Sequence, residues 1–460
     1  MGGPTSESAE PASEEPSPDE PSLGTTASRG FLWANLGIFT RYVTALILAA
    51  VLARVLSPVD YAVMVTLMLI TFYFDNALDL GMGAALVYEQ EEGVSERVQV
   101  AFTANVGLGA VLAALLLVVA PVVAGYFQQS AYVAEFRCLA VVVMLSAFTT
   151  VPWSLFMRNM DFRRRAVVEV ARDLSRFVAT LGLALAGFGA WSVVIGLFVA
   201  YTVALVGTWL ALRFRPTFAW DLTTVKQLFR YAWRVAGNRV LGLLALNGDY
   251  FVVGNRRHDQ YASYYQAFRL PEFVMGAQLN GLSAVLFPMY SRIRSDGPEA
   301  LRQGMYKALR IVALFSFPVG AGLALVARDA FTVFYGTSNV AGIQTMEVIS
   351  IAGAITGLRF ATGDLLMAIN RPGVLLRLNA VMVPLMLSSM WIVSPYGIVW
   401  VATVHLVIQI VFVGARQLIV DHMVESPTSA ALACLVPGLV VTAGIVAFAL
   451  WPWALFQATK

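Results

Sequence analysis

Apolar residues run along this chain in long unbroken blocks, and the blocks set its architecture. Stretches near ~20 residues, enough for one helix to cross ~30 Å of hydrocarbon, recur from end to end. They predict thirteen spans, at 30–54, 60–87, 98–125, 133–155, 166–187, 190–212, 229–254, 261–289, 305–327, 342–368, 375–394, 397–419 and 430–453. Runs such as "VGLGAVLAALLLVVAPVVAGYF" lack the apolar–polar alternation of a barrel strand. The expected fold is therefore all-α, a polytopic membrane protein with about thirteen transmembrane helices, in a range of twelve to fourteen.

The polar positions between the blocks repeat. Shifting the chain by 200 residues aligns Trp33 with Trp233, Tyr61-Ala62 with Tyr261-Ala262, Gly81 with Gly281, Ala84 with Ala284 and Leu86 with Leu286. Six spans separate the copies, an even number, so both copies cross the bilayer in the same direction. Two parallel six-helix lobes around a central cavity are expected, at 30–212 and 229–419, with a cytoplasmic linker at 213–228. Span 430–453 lies outside the repeat and reads as a peripheral addition, with Trp451 and Trp453 suited to an outer interface.

Composition agrees and excludes much else. The chain is 58% hydrophobic and 13% charged, more apolar than a soluble domain of its length could bury. Cys138 and Cys434 are far apart, and His258, His405 and His422 are scattered, so no disulfide framework, metal or cofactor is indicated. No nucleic-acid partner is expected. Residues 1–29, rich in Ser, Pro and Glu, read as a disordered cytoplasmic tail. With the N-terminus inside, twenty of the 31 Lys and Arg fall on the inner side and six on the outer, which orients the chain in an inner or plasma membrane by the excess of basic residues.

The five arginines assigned to neither side, Arg41, Arg176, Arg239, Arg269 and Arg359, are placed within the membrane. Each costs at least ~2.5–3.5 kcal/mol at a helix centre unless paired or wet. Arg41 lies near the expected midplane, and its repeat counterpart is Leu241, so the scaffold itself does not require a charge there. In the second span Asp75 and Asp79 share one helix face, either neutralising Arg41 or serving as protonatable or ion-binding acids. In the seventh span Arg234, Asn238 and Asp249 share a stripe, while Arg239 points away from it. Arg234 also reads as an inner-interface residue.

In the eighth span Arg269 and Glu272 flank Pro271, where a kink beside a charge pair is expected, and Tyr261, Tyr264, Tyr265 and Phe268 read as an interfacial aromatic belt. Arg359 and Asp364 are five apart, poor spacing for a pair. Arg176, three after Asp173, reads as structural.

Three motifs are similar to those of a known family: L-S-P-x-D-Y at Leu56–Tyr61, D-L-G-x-G-A-A-L at Asp79–Leu86, and L-F-P-x-x-S-R at Leu286–Arg292. The stretches 28–87 and 248–293 that contain them resemble the openings of the two lobes of Wzx-type polysaccharide flippases, of the multidrug, oligosaccharidyl-lipid and polysaccharide exporter superfamily. That resemblance implies a transporter without enzyme activity. It would turn a polyprenyl-diphosphate-linked oligosaccharide, a cell-envelope polysaccharide or lipopolysaccharide precursor, from the inner to the outer leaflet by alternating access. Polysaccharide polymerase or ligase machinery is then a candidate partner.

Related peptidoglycan-precursor flippases use basic residues of the first and eighth spans, positions that Arg41 and Arg269 occupy here. The family often has twelve or fourteen spans rather than thirteen. Guanidinium groups suit a diphosphate because they bind its oxygens bidentately. The substrate-binding set is thus Arg41, Arg234, Arg239, Arg269 and Arg359, with Asp75, Asp79, Asp249 and Glu272 as charge partners or ion-coupling acids. A cation-coupled multidrug or metabolite antiporter is the alternative and needs a carboxylate-dominated cavity. A membrane glycosyltransferase or ligase is less favoured, because outer loops such as "AGFGAW" and "SPYGIV" are only turns.

Overall fold

The apolar blocks fold as helices whose ends are set by local chemistry. The computed structural model describes residues 23–79, 94–221, 240–336 and 339–458, and every regular element among them is helical. Helix α1 (Leu23–Val55) gives way to α2 (Pro58–Leu78) at Ser57, whose side chain accepts from the Asp60 N–H while Pro58 supplies a preset first turn. α3 (Val94–Tyr126) and α4 (Val133–Arg158) follow. α5 (Phe162–Leu185) is capped by Asp161, which accepts from the Arg164 N–H at 3.1 Å, and α6 (Trp191–Leu212) completes the first half.

The second half begins at α7 (240–256) and α8 (Tyr261–Ile293). It continues with α9 (Pro298–Leu325), a short α10 (Ala327–Tyr335), α11 (Val340–Ala368), α12 (Pro372–Val393) and α13 (Ile398–Met423). α14 (Thr428–Ala433) and α15 (Val436–Ala458) end the chain. Among the described residues, nine helices are long and apolar enough to cross a membrane.

Two boundaries differ from expectation. Helix α1 starts at Leu23, so the last part of the segment read as a tail is already helical. α2 stops at Leu78, with Asp79 at its C-cap, and residues 80–87 of the predicted span lie outside the described residues.

The same packing pairs recur in both halves. α3 lies on α4, α2 on α4, α4 on α6 and α5 on α6; in the second half α9 lies on α11, α8 on α11, α11 on α13 and α12 on α13. Between membrane helices such contacts rest on close backbone approach. Gly320 shows why: a Cβ there would sit 2.7 Å from the Ser350 carbonyl oxygen and 2.7 Å from the Ala354 Cβ. α15 packs along α9 and leaves a broad apolar face exposed, including Val440 and Phe448.

At one end of the bundle the halves are sewn together. Phe127 of the α3–α4 turn stacks on Tyr261, and Tyr61 meets Tyr265 edge-on. Asn255 donates to the Tyr126 carbonyl at 2.7 Å, and Gln128 donates to the Asn255 carbonyl at 2.8 Å. Tyr261 and Tyr264 are fully buried in this seam, so they pack the halves together and do not form the expected interfacial belt.

At the same end, Arg54 of α1 donates to the Val333 carbonyl on α10. Gly336, at φ 70°, ends α10 beside the Arg54 side chain, where a Cβ would be both strained and 3.3 Å from its Nε. Arg54→Ala is expected to free α10. Amide exchange across 327–336 should quicken by roughly tenfold, the weight of one charge-assisted bond of about 1.5 kcal/mol. Unchanged exchange there would mean that α10 is held by other contacts.

Candidate functional site: a central cavity lined by Arg359

Between the halves lies a cavity of about 540 Å³. Tyr42 of α1 and Phe72 of α2 line one side; Glu272, Arg359, His405 and Gln409 line the other. The shape of α8 brings Glu272 there. Pro271 has no N–H to donate, and α8 responds by widening into a π-helical turn over Glu272–Gly276 before resuming at Ala277. The kink expected at Pro271 is this turn.

Arg269 is neutralised within its own helix. Its Nη1 lies 3.0 Å from Glu272 Oε2, and its guanidinium sits 4.1 Å over the Tyr265 ring. Arg41 is neutralised as well, but not by the acids expected. Its Nη2 donates to Glu169 Oε1 at 3.1 Å and its Nε is 3.6 Å from Asp173 Oδ2, both on α5. Arg165 also reaches Glu169, at 3.4 Å, and Arg172 holds Asp173 Oδ1 at 2.9 Å. Gly37 makes room for this, since a Cβ there would lie 2.4 Å from Glu169 Oε2.

Asp75 faces a different way. It accepts from Ser146 Oγ of α4 at 2.7 Å and from the Tyr201 hydroxyl of α6. Asp249, 1% exposed, accepts from the Tyr264 hydroxyl at 2.8 Å. Asp79 caps α2, its N–H donating to the Asp75 carbonyl. Arg176, read as structural, makes no salt bridge to Asp173 among the described residues. Its Nη2 turns to the Met68 sulfur, and its buried Nε has no partner among the described residues. Arg234 and Arg239 lie outside the described residues.

Arg359 stands apart from the other two arginines. Among the described residues it makes no ion pair, and its one side-chain hydrogen bond is a long one from Nη1 to Gln409 Oε1, 3.4 Å. Asp364 does not serve it, as the spacing predicts; both its oxygens accept from Ser283 Oγ. A second guanidinium, Arg416, is 5% exposed and donates to the Arg359 carbonyl at 3.4 Å, again with no ion pair among the described residues.

The Gln409 amide, having used its oxygen on Arg359, donates Nε2 toward His405 Nε2 at 3.4 Å. His405 Nδ1 is buried and has no hydrogen-bond partner among the described residues. The cavity wall formed by α11 and α13 therefore presents the Arg359 guanidinium beside His405 and Gln409, with Arg416 packed behind it and no carboxylate paired to either arginine among the described residues. An anion is the ligand such a wall can bind.

His405, Gln409 and Arg416 were missed in the sequence because they were weighed by residue type. Their spacing, four and then seven residues apart along α13, is the signal that would have found them: it puts all three on one helix face.

A bundle of membrane-length helices with recurring packing pairs around a cavity lined by Arg359 defines a polytopic membrane transporter. The chain belongs to the polysaccharide biosynthesis protein family, whose profile matches residues 51–341. It is 27% identical to the succinoglycan biosynthesis transport protein ExoT of Rhizobium meliloti, over 72% of this chain and 67% of that protein. It is 22% identical to the teichuronic acid biosynthesis protein TuaB of Bacillus subtilis, over 93% and 89%. With the lipopolysaccharide biosynthesis protein WzxC of Escherichia coli it shares 22% over 78% and 73%.

Among solved structures, its fold is similar to that of the lipid II flippase MurJ in an inward closed conformation, with TM-score 0.71, 13% identity, and 90% and 91% of the two chains covered. An inward-facing multidrug resistance MATE family transporter of the MOP superfamily aligns with TM-score 0.61 and 17% identity, over 86% and 96%.

Proposed function

We propose that this protein is a flippase that carries a polyprenyl-diphosphate-linked oligosaccharide, a cell-surface polysaccharide precursor, across the bilayer by alternating access. The observation that carries the reading is Arg359, a cavity-lining guanidinium with no counter-charge among the described residues, backed by Arg416 and His405. A half-buried cation with no counter-charge among the described residues is costly in the empty protein, and a diphosphate supplies the missing charge. The names of the relatives support the substrate class.

Arg269 and Arg41 join the site by exchange. Their acids, Glu272 at the cavity and Glu169 and Asp173 on α5, hold them until phosphate oxygens replace the carboxylates. In this reading residues 30–212 and 229–419 rock as two lobes, with 213–228 as the cytoplasmic linker and 430–453 as an added peripheral helix. The N-terminus is cytoplasmic, and the glycan passes to polymerase or ligase machinery on the outer face. With the inside negative, outward movement of head-group charge gains ~2.3 kcal/mol per charge per 100 mV.

Native mass spectrometry of the purified protein tests the ligand class. A short-chain polyprenyl-diphosphate oligosaccharide is expected to bind, with affinity falling as its diphosphate is trimmed to a monophosphate. Preferential binding of cationic dyes would favour the antiporter reading and defeat this one.

A further inference from the structure

A second groove, of about 700 Å³, lies on the flank of the first half between α5 and α6, and none of its lining residues lines the central cavity. Its floor is apolar and shallow. On α5 it is built from Val167, Val168 and Ala171; on α6 from Val203, Gly207 and Ala211, a ridge at four-residue spacing that keeps one face of the helix low. Gly207 lets α5 approach, since a Cβ there would meet the Val168 methyls at 3.2 and 3.3 Å. Beyond the groove the next turns of α5 stay apolar and exposed, at Leu174 and Val178.

Its mouth is basic. Arg163 and Arg164 line it at the start of α5, and Arg164 reaches across to α6, donating from Nη1 to the Ala211 carbonyl at 3.3 Å. One acid shares the mouth: Asp161 lies 3.3 Å from Arg164 Nη1. Arg158 at the end of α4 and Arg213 at the C-cap of α6 belong to the same end of the bundle.

The level of the mouth is marked independently by aromatic residues. The segment after α6 is tied to α3, with Thr217 N donating to Gln99 Oε1 at 2.9 Å and Ala219 N to Thr103 Oγ1 at 3.1 Å. It thereby holds Phe218 and Trp220 exposed, at 70% and 64%. Such rings settle at head-group depth.

An apolar trough that starts at head-group level under a pair of guanidinium groups matches one kind of molecule, with a chain to fill the trough and a negative head at its top. We propose that the α5–α6 groove is a binding site for an anionic phospholipid, its acyl chain on the Val167, Ala171, Val203 and Gly207 floor and its phosphate between Arg163 and Arg164. Free phosphate would use only the mouth, and a zwitterionic lipid would bring its own positive charge to a basic rim.

The test uses the full-length protein in neutral detergent, titrated with phosphatidylglycerol, phosphatidylcholine and inorganic phosphate while bound lipid is counted by native mass spectrometry. Phosphatidylglycerol is expected to be retained in preference to phosphatidylcholine. Arg163→Gln/Arg164→Gln should weaken phosphatidylglycerol by roughly thirtyfold, at about 1 kcal/mol per basic residue lost, and leave phosphatidylcholine unchanged. Ala171→Phe, at an exposed position, should displace both lipids by filling the trough, and Asp161→Asn should tighten the anionic one. Equal retention of the two lipids would overturn the proposal, as would full competition by inorganic phosphate. So would a dimer whose second copy covers the groove.

Discussion

Replacing Arg359 by leucine is expected to stabilise the protein and abolish transport. The two effects have one cause. Arg359 holds a charge at the cavity wall with one 3.4 Å bond and no counter-ion among the described residues, so the empty protein carries part of the ~2.5–3.5 kcal/mol cost of a buried guanidinium. Leucine removes that cost and should raise the apparent melting temperature in detergent. The same change removes a two-pronged contact to phosphate, worth about 3–6 kcal/mol at ~1.5–3 per charge-assisted bond, or a transport loss of roughly 10²- to 10⁴-fold.

Lysine at 359 keeps the charge and loses the fork, so it should fall between wild type and leucine. Flipping of the lipid-linked precursor in proteoliposomes, beside a melting curve for each variant, reads both signs. A leucine variant that melts earlier yet transports normally would place Arg359 in the scaffold and leave the cavity without its anion site.

The helices were readable in the sequence because a membrane span is a one-dimensional signal: length and apolar content suffice, and neither depends on what packs beside it. The recurring packing pairs have a trace in the sequence as well, since Tyr61 and Tyr261 occupy matching places near the starts of α2 and α8. Charge partners were not readable. Asp75 and Arg41 lie on successive helices, yet they face different neighbours, because the helix laid against α1 at Arg41 is α5. Which helices touch is a property of the bundle, and no spacing within one helix reports it.

Local pairs fared better. Arg269 with Glu272 three residues on, and the failure of Arg359 to meet Asp364 five residues on, both follow from helix geometry alone. The α11–α13 cluster lay between these cases: the face shared by His405, Gln409 and Arg416 was legible, but its conjunction with Arg359 needed the fold.

Arg41 tests whether a neutralised arginine also serves the substrate. Its two acids are nearly buried, with Glu169 and Asp173 side chains 4% and 9% exposed, whereas the arginine itself is 48% exposed. Arg41→Ala strands those carboxylates. Breaking a buried pair costs about 3–5 kcal/mol, and Arg165 and Arg172, which remain on Glu169 and Asp173, should reduce the loss here to about 2–3 kcal/mol. A drop in transport in that variant alone would therefore say nothing about substrate.

The triple variant Arg41→Ala/Glu169→Gln/Asp173→Asn removes the stranded charge and should recover most of the melting temperature. Its transport should nevertheless stay below about a tenth of wild type, the loss of at least ~1.4 kcal/mol that one charge-assisted contact to phosphate supplies. The exposed half of Arg41 gives the reason, since a guanidinium that only knitted α1 to α5 would have no need to keep 48% of its side chain exposed. If the repaired variant flips substrate at the wild-type rate, Arg41 belongs to the scaffold, and anion recognition rests on the α11–α13 wall and Arg269.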